Sequence, residues 1–483
     1  MSQKAIELKR VVLTGGVWSL VSTGVTALLS LCGSIFLARL LSPVDFGNFA
    51  IVTVVVSAFA AFSGLGIGMA MIQKKELTRN EISSAFWLFV FSNLTIFIII
   101  SAISPFIAHF FNEPIIGWLL PLTALSYVVG SVGDMYSFML EKELSFVLMA
   151  KQEIFVELVA KAVTVCLAIN GMGVWSLAWG ELTLHTLLSI LRVLAGWSKW
   201  QPEMHFHWGD IQKFLKFSFY MIGEEFLRNL STKIDQILIG GILGVHMLGA
   251  YDFVVMRILT PLSTISMVIL RNAFPLLAKI QYDKILLRQS FIILTKILNL
   301  IEAPLLLGTG VIAPILIPML YGSEWSQAAQ LAPALAATQI FRRINGQTDT
   351  LLWATGKPEL SFRWNLLLTA ICSGAIITGA FFSGISGIVM ALLLTTAAGA
   401  LVGYFILIKP ILGECGKTLT TDTVVPIFLS GLIGVLVKTF SINYSLSTSW
   451  LAFTCIAGLA LYLLLSWLFH RTFSVFNLSS TNA

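Results

Sequence analysis

Charged side chains interrupt several long apolar stretches of this sequence, and these residues are the ones best placed to do chemistry there. Five are basic, namely Lys161, Arg228, Arg257, Arg342 and Arg343. Five are acidic, namely Glu157, Glu224, Asp235, Glu302 and Asp349. Guanidinium groups present a planar fork of donors that suits phosphates and carboxylates. We therefore predict that the basic residues line a cationic cavity for an anionic ligand, and that the acidic residues line the same cavity or bind a coupling cation.

The spacing of these residues also allows a structural interpretation. Glu157 and Lys161 are four residues apart, which is the spacing of a local ion pair on a helix. Glu224, Arg228 and Asp235 fall on one stripe of a helix, where opposite charges could neutralise each other and hold helices together. The sequence alone leaves both interpretations open.

Other kinds of chemistry have no pattern to support them. The sequence contains no phosphate-binding loop with its lysine and no serine within a nucleophile elbow, so we expect neither ATP hydrolysis nor serine-based catalysis. The five cysteines are scattered, and His205 and His207 lie in a polar stretch where histidines are usually surface residues. We predict a protein that is not an enzyme and that has no metal site and no cofactor.

Composition indicates the elements that must position the charged residues. Hydrophobic residues make up 57% of the chain and charged residues only 11%, whereas soluble proteins carry roughly 25% charged residues. Apolar runs of about 20 residues are long enough to cross a bilayer as helices. We predict an all-α membrane protein with about fourteen transmembrane helices, near 14–37, 46–72, 83–110, 115–140, 147–170, 174–195, 213–242, 249–276, 289–317, 328–354, 362–382, 386–409, 424–440 and 449–469.

The loops between these runs predict the orientation. Alternate loops carry basic residues such as Lys74, Lys142, Lys279 and Lys357, whereas the intervening loops carry Arg39 and almost no other basic residue. Positive residues mark the cytoplasmic side, so we expect both termini to be cytoplasmic. The net charge of +6 resides largely in these loops, which favours contact with anionic membrane lipids over nucleic acid.

An internal repeat divides the chain. LARLLSPVDFGNFA at 37–50 is similar in pattern to IGGILGVHMLGAYDF at 239–253, and the tetrapeptide ELSF occurs at 143–146 and again at 359–362. Because six helices separate the copies, both would enter the membrane from the same side. The repeat predicts two six-helix lobes related as a parallel repeat. We expect an N-terminal lobe at 1–196, a cytoplasmic linker at 197–212, a C-terminal lobe at 213–410, and two further helices with a tail at 411–483.

Several motifs resemble those of a known family over roughly residues 1–410. They are LLSPVDFG at 40–47, GIGMAMIQKK at 66–75, GMGVWSL at 171–177, IDQILIG at 234–240 and YGSEW at 321–325. They resemble polysaccharide flippases of the multidrug/oligosaccharidyl-lipid/polysaccharide exporter superfamily, in the group that exports O-antigen or colanic-acid units.

The resemblance implies transport without covalent chemistry. An undecaprenyl-pyrophosphate-linked oligosaccharide would move from the cytoplasmic to the periplasmic face of the bacterial inner membrane by alternating access of two lobes. It would serve the synthesis of lipopolysaccharide, capsule or colanic acid. We expect a monomer, and a proton or sodium ion is the candidate coupling cation.

Two other functions remain as alternatives. A cation-coupled multidrug exporter of the same superfamily would be expected to carry a carboxylate in its first helix, yet residues 14–37 contain no Asp or Glu. A membrane polymerase or ligase would be expected to have a large periplasmic loop with catalytic Arg or His, and every predicted outer loop is short. Both observations favour the flippase.

Overall fold

The computed structural model describes residues 3–60, 62–63, 78–443, 454 and 456–466. Side chains are described for 14–60, 62–63, 78–209, 226, 229–264, 266, 269–270, 273–440, 454 and 456–466. The helices are α1 (Gln3–Leu40), α2 (Pro43–Ala60), α3 (Arg79–Phe110), α4 (Ile116–Lys142), α5 (Phe146–Ile169), α6 (Trp175–Gly196), α7 (Trp208–Leu243), α8 (Val245–Asp252), α9 (Thr260–Lys279), α10 (Lys284–Ala303), α11 (Thr309–Tyr321), α12 (Ser326–Ala354), α13 (Pro358–Gly403), α14 (Lys409–Leu412), α15 (Gly416–Asn443) and α16 (Ile456–Ser466). The part of the chain that the structure describes contains no strand, so the predicted all-α fold class is confirmed.

Within the described residues the predicted spans coincide with these helices. Residues 61 and 64–72 of the predicted span 46–72, the GIGMAMIQKK motif at 66–75, and residues 449–453, 455 and 467–469 of the last predicted span lie outside the described residues. Within the described ranges, nine continuous stretches are long and apolar enough to cross a membrane. Helices α5, α7 and α12 also match predicted spans, yet they are not among those nine stretches. They carry charged or less apolar sequences, and eight of the ten candidate site residues lie on them. The least apolar spans are therefore the ones that hold most of the predicted chemistry.

Helix α13 contains a reversal that separates two predicted spans. Ser383 and Gly384 depart from helical backbone angles, with Gly384 at φ 56° and ψ −135°, a region that only glycine adopts readily. A Cβ on Gly379 would lie 2.5 Å from the carbonyl oxygen of Gly387. Residues eight apart in a straight helix are about 12 Å apart, so the chain turns back on itself here. The short loop predicted at 383–386 is confirmed.

Packing divides the chain into two compact units, Met1–Asp252 and Phe253–Ala483. In the first unit α4 packs between α3 and α6, α5 packs on α1 and α6, and α2 packs on α8. In the second, α12 packs on α11 and α13, and α10 packs on α15. This division groups helices by packing and places 213–252 in the first unit. The lobe boundary inferred from the repeat, at 197–212, stays a prediction.

The segment that joins α6 to α7 is docked against the first unit. Trp200 is 3% exposed and its ring contacts those of Phe86 and Tyr136. The Trp87 indole N–H donates to the carbonyl of Glu203 at 2.9 Å. The backbone N–H of His207 donates to the Ser84 hydroxyl at 3.1 Å. These contacts fix the segment onto the start of α3 and the end of α4.

Two glycines allow a close crossing of α2 and α8. A Cβ added to Gly47 would lie 1.9 Å from the carbonyl oxygen of Val245, and one added to Gly249 would lie 1.8 Å from that of Pro43. The two backbones therefore touch without any side chain between them. Gly47 begins Gly-Asn-Phe in the first of the two similar motifs, and Gly249 begins Gly-Ala-Tyr in the second.

Candidate functional site

The first unit contains an ionic cluster that four helices assemble. Arg192 on α6 places Nη1 3.2 Å from Oδ1 of Asp134 on α4 and Nη2 3.9 Å from Oε1 of Glu153 on α5. The Ser22 hydroxyl on α1 donates to Oε2 of Glu153 at 2.9 Å. The arginine side chain is only 13% exposed, whereas those of the two carboxylates are 44% and 42% exposed. One guanidinium therefore lies between two carboxyl groups.

The sequence prediction missed this cluster. Arg192 and Glu153 lie close to the ends of their predicted spans, where a charged side chain normally reaches the membrane interface. Asp134 lies closer to the middle of α4 but has no opposite charge three or four residues away. The signal that could have found them is the occurrence of opposite charges at similar depth on three successive spans.

A second polar group continues along the same helix. His185 lies seven residues before Arg192 on α6, two turns away on the same face. Its Nε2 is 3.5 Å from Oε1 of Glu181, and its ring lies 5.2 Å from that of Tyr127 on α4. Polar side chains therefore extend along one face of α6 over about three turns.

The predicted residues Glu157 and Lys161 form a local pair on α5. Lys161 Nζ is 3.4 Å from Glu157 Oε1, and the two side chains are 26% and 16% exposed. A Cβ on Gly33 would come 3.4 Å from Lys161 Cδ, so the lysine stem lies against α1. The local ion pair that the spacing allowed is the arrangement observed.

Asp235 belongs to a buried set of hydrogen bonds that ties α7 to α8. Its carboxylate accepts from the Tyr251 hydroxyl at 2.5 Å and from the backbone N–H of Gln236 at 2.9 Å. The Gln236 amide donates in turn to Asp252 at 2.7 Å. Asp235 is 3% exposed. The predicted stripe partners Glu224 and Arg228 have side chains outside the described part of the chain.

The second unit brings two predicted residues together on different helices. Arg343 on α12 donates through Nη2 to the hydroxyl of Ser263 on α9 at 2.6 Å. Its Nε lies 3.9 Å from Oε1 of Glu302 on α10. The Arg343 side chain is 18% exposed and that of Glu302 only 3% exposed. We call Ser263, Glu302 and Arg343 the α9/α10/α12 cluster.

Several buried polar atoms surround this cluster on the same three helices. Glu302 Oε1 makes no hydrogen bond, and neither do Ser266 Oγ, Thr295 Oγ1 and Gln347 Nε2. Ser266 is one turn from Ser263, and Gln347 is one turn from Arg343. Buried polar groups are normally hydrogen-bonded. This concentration of polar atoms with unused bonding capacity is typical of a region that accepts water, an ion or a polar ligand.

Asp349 has a different environment from the arginines that precede it on α12. Its carboxylate accepts from the Ser361 hydroxyl at 2.5 Å and from the Asn365 amide at 3.0 Å, both on α13. Asp349 therefore joins two consecutive helices, and these contacts do not bring it to Arg343.

Two of the predicted residues lie in or beside π-helical turns. Arg257 lies within the π-helical segment Phe253–Leu259, which packs against α12. Glu302 lies two residues before another, Pro304–Gly308. π-Helical turns occur frequently at functional sites because they re-aim side chains within a helix. Arg342 neighbours Arg343, and adjacent residues on a helix point about 100° apart, so the two guanidiniums face different directions.

Two of the family-like motifs meet through Asp45. Its Oδ2 accepts from the backbone N–H of Ser42 at 2.9 Å, and its Oδ1 accepts from the backbone N–H of Val174 at 3.1 Å. LLSPVDFG and GMGVWSL are thus joined at the same end of the first unit. The YGSEW motif ends in Trp325, which is fully buried and stacks on Phe253 at 3.9 Å.

The chain is similar to known proteins of polysaccharide biosynthesis. A family profile described as "Polysaccharide biosynthesis protein" matches residues 36–330, more than half of the chain. The chain belongs to this family. It is 26% identical over 429 residues to the lipopolysaccharide biosynthesis protein WzxC of Escherichia coli K12, covering 88% of this chain and 86% of that protein.

Solved structures share its fold. The lipid II flippase MurJ in an inward closed conformation matches with a TM-score of 0.67 at 13% identity, covering 95% of this chain and 99% of that one. An inward-facing multidrug resistance transporter of the MATE family and MOP superfamily matches with a TM-score of 0.62 at 16% identity, covering 82% and 96%. The protein is a multi-pass membrane protein with the MOP-superfamily fold, as the motifs predicted.

Proposed function

We propose that the protein is a flippase that moves lipid-linked oligosaccharide repeat units for a surface polysaccharide across the bacterial inner membrane. The observation that carries the proposal is Arg343, a guanidinium with part of its surface exposed inside an apolar helical unit. Membership in a polysaccharide biosynthesis family supports the sugar part of the substrate. The resemblance to MurJ, described as a lipid II flippase, supports the lipid part.

The physical task explains why arginines are needed. A pyrophosphate headgroup and its sugar hydroxyls lose water when they enter the bundle, and an unpaired charge there costs several kcal/mol or more. Fixed guanidiniums compensate through charge-assisted, bidentate hydrogen bonds. Arg257, Arg342 and Arg343, together with Arg228 and Lys161, are the residues we assign to this role. No bond of the substrate is made or broken, so the protein acts by binding and conformational change.

The remaining assignments belong to the same proposal. Both termini lie in the cytoplasm and the protein works as a monomer by alternating access. The substrate carries undecaprenyl pyrophosphate, and a proton or a sodium ion is the coupling cation. Glu157, Glu224, Asp235, Glu302 and Asp349 are the acidic residues considered for it.

The decisive experiment is deletion of the gene in the strain that carries it. We expect the surface polysaccharide to be lost and its lipid-linked repeat unit to accumulate on the cytoplasmic face, where mass spectrometry of extracted lipids identifies it. Sensitivity to cationic drugs without any accumulated lipid intermediate would instead indicate a multidrug exporter.

Complementation with variants then tests the arginines. Arg257→Gln and Arg343→Gln should each reduce polysaccharide display at unchanged protein abundance in the membrane. Lys409→Gln is the matched control, because Lys409 pairs with Glu414 in an exposed loop of the same unit. Normal display from a double Arg257→Gln/Arg343→Gln variant would contradict the cationic role.

A further inference from the structure

The pairing of Arg343 with Glu302 is asymmetric. One end of the guanidinium is firmly held by Ser263 at 2.6 Å. Its Nε, the neighbouring donor of the guanidinium, lies 3.9 Å from Oε1 of Glu302, beyond the 2.7–3.2 Å of an N–H···O hydrogen bond. Ser263 therefore fixes the guanidinium in place. The Glu302 carboxylate is close enough to neutralise the guanidinium but too far away to hydrogen-bond to it.

The carboxylate is incompletely satisfied. Glu302 is 3% exposed and its Oε1 makes no hydrogen bond. A buried charge without full compensation is costly. An ion pair that served only to join helices would be expected to be closer and better satisfied. The geometry of Arg343 and Glu302 is that of an ion pair that separates during transport.

We infer that Glu302 is a built-in stand-in for the anionic group of the substrate, neutralising Arg343 in the empty transporter and giving way when a substrate phosphate binds that guanidinium. The inference rests on the proposed function, because it requires an anionic headgroup. The charges explain the competition. Two anions this close together repel each other in a medium of low dielectric constant, so the phosphate and the Glu302 carboxylate do not share Arg343.

The stand-in also explains the return of the empty transporter. Without substrate, Arg343 would have to pass through the cycle as an unpaired cation, which is expensive in an apolar environment. With Glu302 beside it, Arg343 keeps an anionic partner in the empty state, as the substrate phosphate supplies one in the loaded state. The π-helical turn at Pro304–Gly308 begins two residues after Glu302 and is the place where α10 can rotate the carboxylate away.

The inference predicts opposite effects for the two partners. If Glu302 pairs with Arg343 for most of the time, only a small fraction of the molecules has Arg343 available to an anion. The measured affinity is then the intrinsic affinity multiplied by that fraction. Glu302→Gln should therefore tighten binding by about three- to tenfold, whereas Arg343→Gln should weaken it by about tenfold or more. In the double variant there is no cation to unmask, so it should bind as weakly as Arg343→Gln alone.

The test uses the full-length protein in lipid nanodiscs, with geranyl pyrophosphate as the probe and inorganic pyrophosphate as a headgroup-only probe, titrated by calorimetry. Glu414→Gln is the matched control for removal of one acidic charge, because Glu414 pairs with Lys409 in an exposed loop of the same unit. It should bind the probe as the wild type does. The elution profile and thermal midpoint of each variant establish that it is folded.

Each outcome is decisive. Tighter binding by Glu302→Gln together with weaker binding by Arg343→Gln and the double variant supports the stand-in. Equal or weaker binding by a folded Glu302→Gln overturns it and leaves the proposed function standing. A sodium or pH dependence that disappears in Glu302→Gln without tighter binding also overturns it and assigns the carboxylate to the coupling cation. A wild type that binds neither probe contradicts the headgroup recognition of the proposed function, and the inference falls with it.

Discussion

Arg192 is held by carboxylates from two other helices, and its burial distinguishes it from the charged residues around it. The guanidinium is 13% exposed while Asp134 and Glu153 remain more than 40% exposed. Loss of the arginine should be felt mainly as repulsion between the two acids and as loss of the link between α4, α5 and α6.

Arg192→Gln should lower the stability of the protein by about 1 kcal/mol, a value reduced from that of a fully buried pair because the carboxylates are partly exposed. For a unit of this size the apparent thermal midpoint in detergent should fall by about 2–4 °C. The additional change Asp134→Asn should recover part of the loss because it removes the repulsion.

Lys199→Gln is the control, since Lys199 pairs with Glu143 on an exposed surface of the same unit and such pairs contribute little. If Arg192→Gln has the same apparent thermal midpoint as the wild type, the cluster contributes nothing to stability. Its role would then lie in transport alone.

The residue scale also shows how far a sequence can locate a site. The i, i+4 spacing of Glu157 and Lys161 predicted their pairing, because a single helix fixes the geometry. The acidic partners of Arg343 and Arg192 lie on other helices: Glu302 is 41 residues from Arg343, and Asp134 is 58 residues from Arg192. No spacing rule within one helix contains that information, so these clusters required the three-dimensional arrangement.

At the scale of elements, the crossing of α2 and α8 depends on two glycines. Gly47→Ala or Gly249→Ala would place a Cβ within 2 Å of a backbone carbonyl oxygen, and backbone cannot rotate away as a side chain can. Either substitution should separate the helices and cost about 1–3 kcal/mol. We expect a lower thermal midpoint and less protein in the membrane.

Gly24→Ala on α1 is the matched control, because a Cβ there would meet nothing within 4 Å. Replacement of a helical glycine at such a position should be neutral or should stabilise the helix by about 0.4–1 kcal/mol. Equal behaviour of Gly24→Ala and Gly47→Ala would show that the crossing tolerates a methyl group.

The reversal within α13 gives a second prediction for an element. Gly384 has φ 56° and ψ −135°, and residues with a Cβ are strained there by about 1–3 kcal/mol. Gly384→Ala should lower the thermal midpoint although a Cβ at this position has open space around it. Loss of stability would therefore come from backbone strain alone, and a midpoint equal to that of the wild type would contradict the turn geometry.

Helix boundaries were predictable where the chain uses polar residues to end a span, as at 383–386 and 321–325. The π-helical turns were not. Nothing in the composition of Phe253–Leu259 separates it from ordinary helix. Pro304 and Gly308 bound the other segment, and they indicate a disturbed helix without specifying a π turn, which arises from one extra residue accommodated by packing.

At the scale of the whole molecule, contacts between loops show whether the predicted assignment of loops to the two membrane faces is consistent. Two such contacts lie in the first unit. Asp45 and Val174 belong to loops predicted on the outer side, and they are joined by a hydrogen bond. Glu143 and Lys199 belong to loops predicted on the inner side, and they form an ion pair. A helical bundle cannot join loops on opposite faces, so the alternation of sides is supported by the packing.

Which of the two faces is cytoplasmic follows only from the basic residues of the loops, and labelling can test it. In a variant without native cysteines, Ser383→Cys in the α13 reversal should react with a membrane-impermeant maleimide in spheroplasts. Glu414→Cys, which lies 86% exposed beside Lys409, should react only after permeabilisation. Water reaches both positions, so a difference between them reports the side of the membrane and not burial. If only the Glu414→Cys variant were labelled in intact spheroplasts, the topology would be the reverse of the predicted one. An inverted carrier would present its basic loops to the periplasm, away from the anionic cytoplasmic leaflet and against the rule that orients other membrane proteins.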